Sequence, residues 1–308
     1  MPAHAARGMR RGLDLASALL VSVALVAPPI AAPAAPAGLV EILAASPEAD
    51  WRTVDPEDTL YLTLPQGRVV IELAPAFAPG HVANIKRLAR AGFYDGLFVV
   101  RVQDNYVVQW GDANAARPTG GGRLRLEAEF DRPYGAAESF VPLPDPDIYA
   151  PVTGFAGDFP AARDPVSHLT WLTHCYGMVG AGRDNNADSG GGPELYAVIG
   201  QAPRQLDRNV TLVGRVIDGM EALSALPRGH GEIGFYQKPE ERIPILSLEV
   251  AADRPAARRT PFQVLKTDSP TFAAVVQNRR FRRDSWFKVA AGHIDVCNLP
   301  LPVRVGPR

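Results

Sequence analysis

Between residues 58 and 250 the chain runs repeatedly into short stretches of β-branched, aromatic and aliphatic residues, closed by Gly, Pro, Asn or Asp. That pattern restricts the fold more than any other property of the sequence. Residues 60–64 and 68–73 flank Pro65, Gln66 and Gly67, the arrangement of a hairpin around a short turn. Residues 97–102, 106–109, 195–199, 211–216 and 243–250 read as further strands. Helical periodicity takes over from Pro79 to Ala91, where Val82, Ile85, Leu88 and Ala89 share one face and Gly92 stands at the stop. A second helix is expected over 218–226, with Asp218 as its cap and Met220 and Leu223 facing inward. Strands and helices do not alternate in βαβ fashion, so an antiparallel barrel or sandwich is predicted rather than a parallel sheet.

At 308 residues and 46% apolar composition the chain has material for a sizeable core, which excludes global disorder. A net charge of -1 supplies no general attraction to nucleic acid or to anionic membrane. The two cysteines, Cys175 and Cys297, form no CxxC pair, which removes zinc-ribbon and thioredoxin-like readings. No metal or other cofactor is expected.

The first residues are ordered as an export signal is. Arg7, Arg10 and Arg11 precede an apolar stretch over 15–26, and small residues follow at 31–37. The apolar stretch is short of the ~20 residues that span a bilayer, so no stable membrane span is expected after processing. Residues 1–37 are therefore read as signal peptide and small-residue linker, and the mature protein as periplasmic or secreted. A Cys175–Cys297 disulfide is permitted there without being required.

One residue stands out in the strand pattern. Arg101 lies inside the apolar run Phe98-Val99-Val100-Arg101-Val102, and a guanidinium is expensive to bury unless it is paired or working. An ion pair with a carboxylate such as Asp112 is the structural alternative. Around it stand Gly92-Phe93-Tyr94-Asp95-Gly96, then Arg101-Val102, then Gln109, Gly111 and Asp112. Further on come Gly177-Met178, Glu194-Leu195-Tyr196, Leu206-Asp207 and Gly214-Arg215-Val216, in that order. This series resembles the signature of the cyclophilin-type peptidyl-prolyl cis-trans isomerases over roughly residues 58–250.

The resemblance implies a mainly β fold: a closed antiparallel β-barrel capped by two helices. That domain spans 58–250 and contains a long insertion at about 113–173; an N-terminal segment at 38–57 and a C-terminal extension at 251–308 packed on the barrel flank it. It also implies the chemistry. Resonance holds an amide planar behind a barrier of ~18–20 kcal/mol, and twisting it localises a lone pair on the proline nitrogen. A fixed donor aimed at that nitrogen stabilises the twisted state above either planar one. The resemblance assigns this role to Arg101, with Gln109 bonding the substrate backbone. Tyr106, Val107, Tyr196 and Leu206 would form the proline pocket, Glu194 would contact substrate, and Val179 and Gly180 would pair with the peptide. Val107 taken alone reads equally well as barrel core. Proline-containing polypeptides are the expected partners, and isomerisation of Xaa-Pro bonds in exported proteins during folding is the expected function. The alternative is a non-catalytic proline-peptide-binding or chaperone module on the same fold. Val99, Val100, Glu194, Gln205 and Val210 depart from the residues usual in the family.

Two other segments carry less. Asp184 to Asp188 begins like a calcium loop, but it has Ser189 where a turn glycine is required and Leu195 where the closing Glu belongs. The basic run Arg279 to Arg283 reads as the solvated end of a helix begun at Ser269-Pro270.

Overall fold

The computed structural model describes residues 37–112, 116–282 and 286–307. The expected export signal, apart from Ala37, lies outside them. The described chain opens with helix α1 (Leu39–Ala44) and strand β1 (Trp51–Thr53), followed by β2 (Thr59–Leu64) and β3 (Gly67–Leu73). These last two form the anticipated hairpin, with Leu64 opposite Gly67 across the turn. Helix α2 (Pro79–Arg90) leads into β4 (Phe98–Val102) and β5 (Val107–Gly111). Within the insertion lie β6 (Arg132–Pro133), β7 (Val141–Pro142), β8 (Val152–Ala156), β9 (Phe159–Asp164) and β10 (Leu169–Leu172). Then come β11 (Met178–Ala181), β12 (Glu194–Val198), β13 (Leu212–Asp218), helix α3 (Met220–Ser224), β14 (Ile243–Pro244) and β15 (Ser247–Val250). Beyond them are β16 (Phe262–Leu265), helix α4 (Pro270–Arg280) and β17 (Val303–Val305).

Nine of these strands make one curled antiparallel sheet in the order β14-β4-β5-β12-β11-β13-β3-β2-β15. Its concave side encloses the main core, where Leu60, Leu62, Ile71, Val108, Trp110 and Val213 meet Val82, Ile85 and Leu88 of α2 and Leu223 of α3. The expectation of a closed barrel needs correction, because no ladder joins the two edge strands. The single strand expected over 243–250 breaks at Pro244, which has no N–H to extend a ladder. Its first half pairs with β4 and its second half with β2, so the chain itself spans the seam. Ile245 N–H donates to Leu97 O at 2.8 Å, and Leu246 N–H to Thr63 O at 2.9 Å.

Helix α3 also differs from expectation. Asp218 is the last residue of β13 and caps nothing; Gly219 enters the helix instead, at φ 84°. A Cβ there would meet Arg68 O at 2.2 Å, so the close approach to β3 and the left-handed backbone both require glycine.

The insertion strands form their own sheet, β6-β10-β9-β8-β7. A carboxylate from this insertion also caps α2: Glu129 accepts from the N–H groups of Gly80 and His81, each at 2.9 Å. β16 lies between β1 and β17 in a third sheet, so the segments before and after residues 58–250 pair directly. A second core is shared by all parts: Trp51, Phe77, Phe155, Met178, Leu265, Phe272 and Leu299 belong to it. Cys175 and Cys297 are disulfide-bonded, with Cα atoms 4.9 Å apart, at its edge. Arg280 corrects the reading of the basic run, since it is partly buried in a two-bond pair with Asp145 of the insertion, both at 2.8 Å. Among the described residues no helix is long and apolar enough to cross a membrane, and no side-chain cluster is suited to a metal ion.

Candidate active site

The site lies on the convex side of β4, β5 and β12. In β4 the register slips between Val99 and Arg101, so Val100 is an extra residue opposite β5. Strict alternation would send Val99 and Arg101 to the same face. The bulge instead places Val99 and Val102 in the main core and turns Arg101 outward, opposite Gln109. The neighbouring pairing sets Tyr196 beside Gln109 and Glu194 beside Gly111. A groove of about 490 Å³ results, lined by Arg101, Tyr106, Val107, Gln109, Glu194, Tyr196 and Leu206 among others.

Arg101 is half-buried and held from several directions. Its Nε–H donates to Ile233 O at 2.7 Å, and an Nη1–H donates to Gln109 Oε1 at 3.1 Å. An Nη2–H donates to Gln103 Oε1. The guanidinium carbon lies 5.7 Å from the Tyr106 ring centroid and 5.6 Å from that of Phe235, within cation–π range of both. Among the described residues Arg101 forms no ion pair, and Asp112 instead accepts the N–H of Arg117 at 2.6 Å. The structural ion-pair reading of Arg101 is therefore set aside. Burial pushes its pKa down, while Tyr106 and Glu194 oppose that.

Gln109 is oriented by its two neighbours. Its carbonyl faces Arg101, and its Nε2–H donates to Glu194 Oε2 at 3.3 Å. The other oxygen, Glu194 Oε1, is buried without a hydrogen-bond partner. Burial raises the Glu194 pKa and the charge of Asp112 adds to it, against the hydrogen bond from Gln109 and the pull of Arg101.

Val107, Tyr196 and Val198 form a small apolar cluster with Tyr106 and Val210, apart from the main core. Val107 thus belongs to the groove. Tyr196 stacks on His174, with ring planes 9° apart, and its hydroxyl meets His174 Nε2 at 2.9 Å. His174 in turn bonds Asp207, and Arg204 links Asp207 to Asp147 of the insertion. Leu206 sits on the same short 3₁₀ turn as Arg204.

Two expected contact residues fall elsewhere. Val179 and Gly180 belong to β11, whose backbone is already bonded to β12 on one side and β13 on the other, so neither can pair with a peptide. Val179 points into the main core. Gly180 makes room for Tyr196 instead: a Cβ there would meet the Tyr196 hydroxyl at 2.3 Å. The corresponding rim of the groove is formed by Gly182, Arg183, Asp184 and Asn185. Sequence reading also missed Gln103, His174, Ile233 and Phe235. Only Gln103 carried a usable signal, since it shares a face with Arg101 two residues away.

A curled antiparallel sheet of this order, carrying an arginine and a glutamine beside an apolar pocket on its outer face, is the architecture of an isomerase for proline bonds. The model of the family described as cyclophilin type peptidyl-prolyl cis-trans isomerase/CLD matches residues 59–250, and the chain belongs to that family. A probable peptidyl-prolyl cis-trans isomerase of Brucella suis is 30% identical over 191 residues, covering 61% of this chain and 82% of its own. Peptidyl-prolyl cis-trans isomerase B of Bacillus subtilis is 31% identical over 126 residues, covering 40% of this chain and 85% of its own. Among solved structures, a cyclophilin from Hirschia baltica superposes with a TM-score of 0.66 at 27% identity. It covers 84% of this chain and 95% of its own.

Proposed function

We propose that the groove isomerises Xaa-Pro bonds, with Arg101 donating to the proline nitrogen as the amide twists. The observation that carries this reading is the way the guanidinium is fixed. Three N–H groups are anchored on neutral acceptors and two rings flank the plane, while the charge is left without a carboxylate partner. A donor so held needs no reorganisation when the lone pair localises, which is what lets it favour the twisted state over the planar ones. Tyr106, Val107, Tyr196 and Leu206 would take the proline ring, and Gln109 would hold the peptide backbone. Glu194 acts on substrate mainly through Gln109. The natural substrates are proposed to be exported proteins during folding, in the periplasm or outside the cell, on the strength of the basic, apolar and small-residue order of the first 37 residues.

An isomerisation assay on a short Xaa-Pro peptide tests the reading. Arg101→Ala should lower kcat/KM by roughly 10²–10³-fold, comparable to losing one oxyanion-hole donor. KM should change less, and Arg101→Lys should also be poor because a flexible ammonium cannot reproduce the fork. A folded Arg101→Ala protein with full activity would remove the catalytic assignment. Peptide binding without turnover in the wild type would favour the binding-module alternative.

A further inference from the structure

We propose that Ile233 is a positioning residue for Arg101, its main-chain carbonyl aiming the guanidinium into the groove. This rests on the isomerase function proposed above. Ile233 has φ 45° and ψ 28°, a left-handed conformation that a β-branched side chain disfavours. Burial of its side chain does not account for that conformation, since Ile233 is 54% exposed. What the conformation gains is the direction of its carbonyl, which accepts the Arg101 Nε–H at 2.7 Å. Strain of this kind persists only where the surroundings enforce it, and it concentrates at functional sites.

The surrounding loop holds this geometry firmly. Phe235 bridges to Arg101 in antiparallel fashion, Tyr236 N–H donates to Val100 O at 3.0 Å, and Gly229 N–H donates to Val102 O at 2.9 Å. Gly231 N–H closes the loop on Phe235 O at 2.9 Å. Gly234, at φ 86°, packs so tightly on the next turn that a Cβ would lie 2.6 Å from the Gln103 Cα. The loop therefore lies along the outside of β4 and supplies both a carbonyl and the Phe235 ring to the same guanidinium.

The test uses Ile233→Pro in the full chain. The proline ring fixes φ near −65°, which turns the carbonyl away. It removes no hydrogen bond seen among the described residues, where the Ile233 N–H donates to none. The expected result is a roughly 10-fold or larger fall in kcat at nearly constant KM, with Tm measured on the same variant to show that it is folded at the assay temperature. Ile233→Gly, which adopts positive φ freely, should recover most of that loss. In an Arg101→Ala background Ile233→Pro should cause no further loss, because both act through one guanidinium. Gly234→Ala provides a second displacement of the loop should the proline variant not fold, and NMR exchange protection of the Arg101 Nε–H in the wild type provides a readout free of mutation. Full activity of Ile233→Pro, an equal extra loss without Arg101, or an unprotected Nε–H overturns the proposal. A wild type that does not isomerise overturns the function itself, so the two failures are distinguishable.

Discussion

Val99 and Val102 reach the core together only because Val100 is accommodated as an extra residue between them, and the same slip brings Arg101 out beside Gln109. Arg101 was legible as a functional candidate because its cost is local: one permanent charge in an apolar strand. Gln109 and Tyr106 were legible only through the family resemblance, which assigns their roles by position. Ile233 and Phe235 were not, since they arrive from a glycine-rich loop more than a hundred positions away and act through a carbonyl and a ring. At Glu194 the structure makes a claim that can be measured. Its raised pKa means that the folded protein holds this proton more tightly than the unfolded chain does. Stability from this group is full below the unfolded value, about 4.3, and is lost as pH rises through the folded one. Glu194→Gln should therefore raise Tm at neutral pH, and the gain should shrink as the solution is acidified. Calorimetric scans across that range check it; a gain growing toward acid would contradict the assigned burial.

Among elements, the hairpin, α2 and the strands of the main sheet could be read because alternation or helical period persists across each of them. The insertion was different. Its strands contain Pro133, Pro142, Gly154 and Pro160, residues that weaken a strand reading, and their pairing depends on tertiary context. The split at Pro244 was written in the sequence, but its consequence depended on where the two halves found partners. The disulfide could not be predicted as formed, because two cysteines alone do not reveal their separation in space. Its two residues lie 122 positions apart and tie the C-terminal extension to the turn that carries His174. Closing so long a loop restricts the unfolded chain, so Cys297→Ser should lower unfolding stability by about 2–5 kcal/mol. Denaturant titration under non-reducing conditions measures this, and an unchanged midpoint would show that the bond contributes nothing.

For the molecule as a whole, the sequence conveyed a β domain with additions but not that the additions build a core in common. Trp51 before the family domain, Phe155 within the insertion and Phe272 beyond the last main-sheet strand all pack into it. The order of residues 1–37 leads to an expectation about export. We expect export to remove the chain up to a point between Ala31 and Ala37, and mass spectrometry of protein recovered outside the cytoplasm reads the new terminus. An intact Met1 or Met9 there would refute the cleavage.

The pairing of Trp51 with Leu265 has a consequence for timing. A ribosome adds ~5–20 residues each second, so β1 waits on the order of 10 s or more before the strand it needs has been made. Through that interval Ala74, Phe77, Met178 and Leu212 lack the cover that Leu265, Phe272 and Val275 later provide. The nascent chain thus cannot finish folding in the order in which it is synthesised. Its main core, drawn wholly from residues between Leu60 and Val250, can close first, but the shared core stays uncovered until the residues after Val250 have emerged.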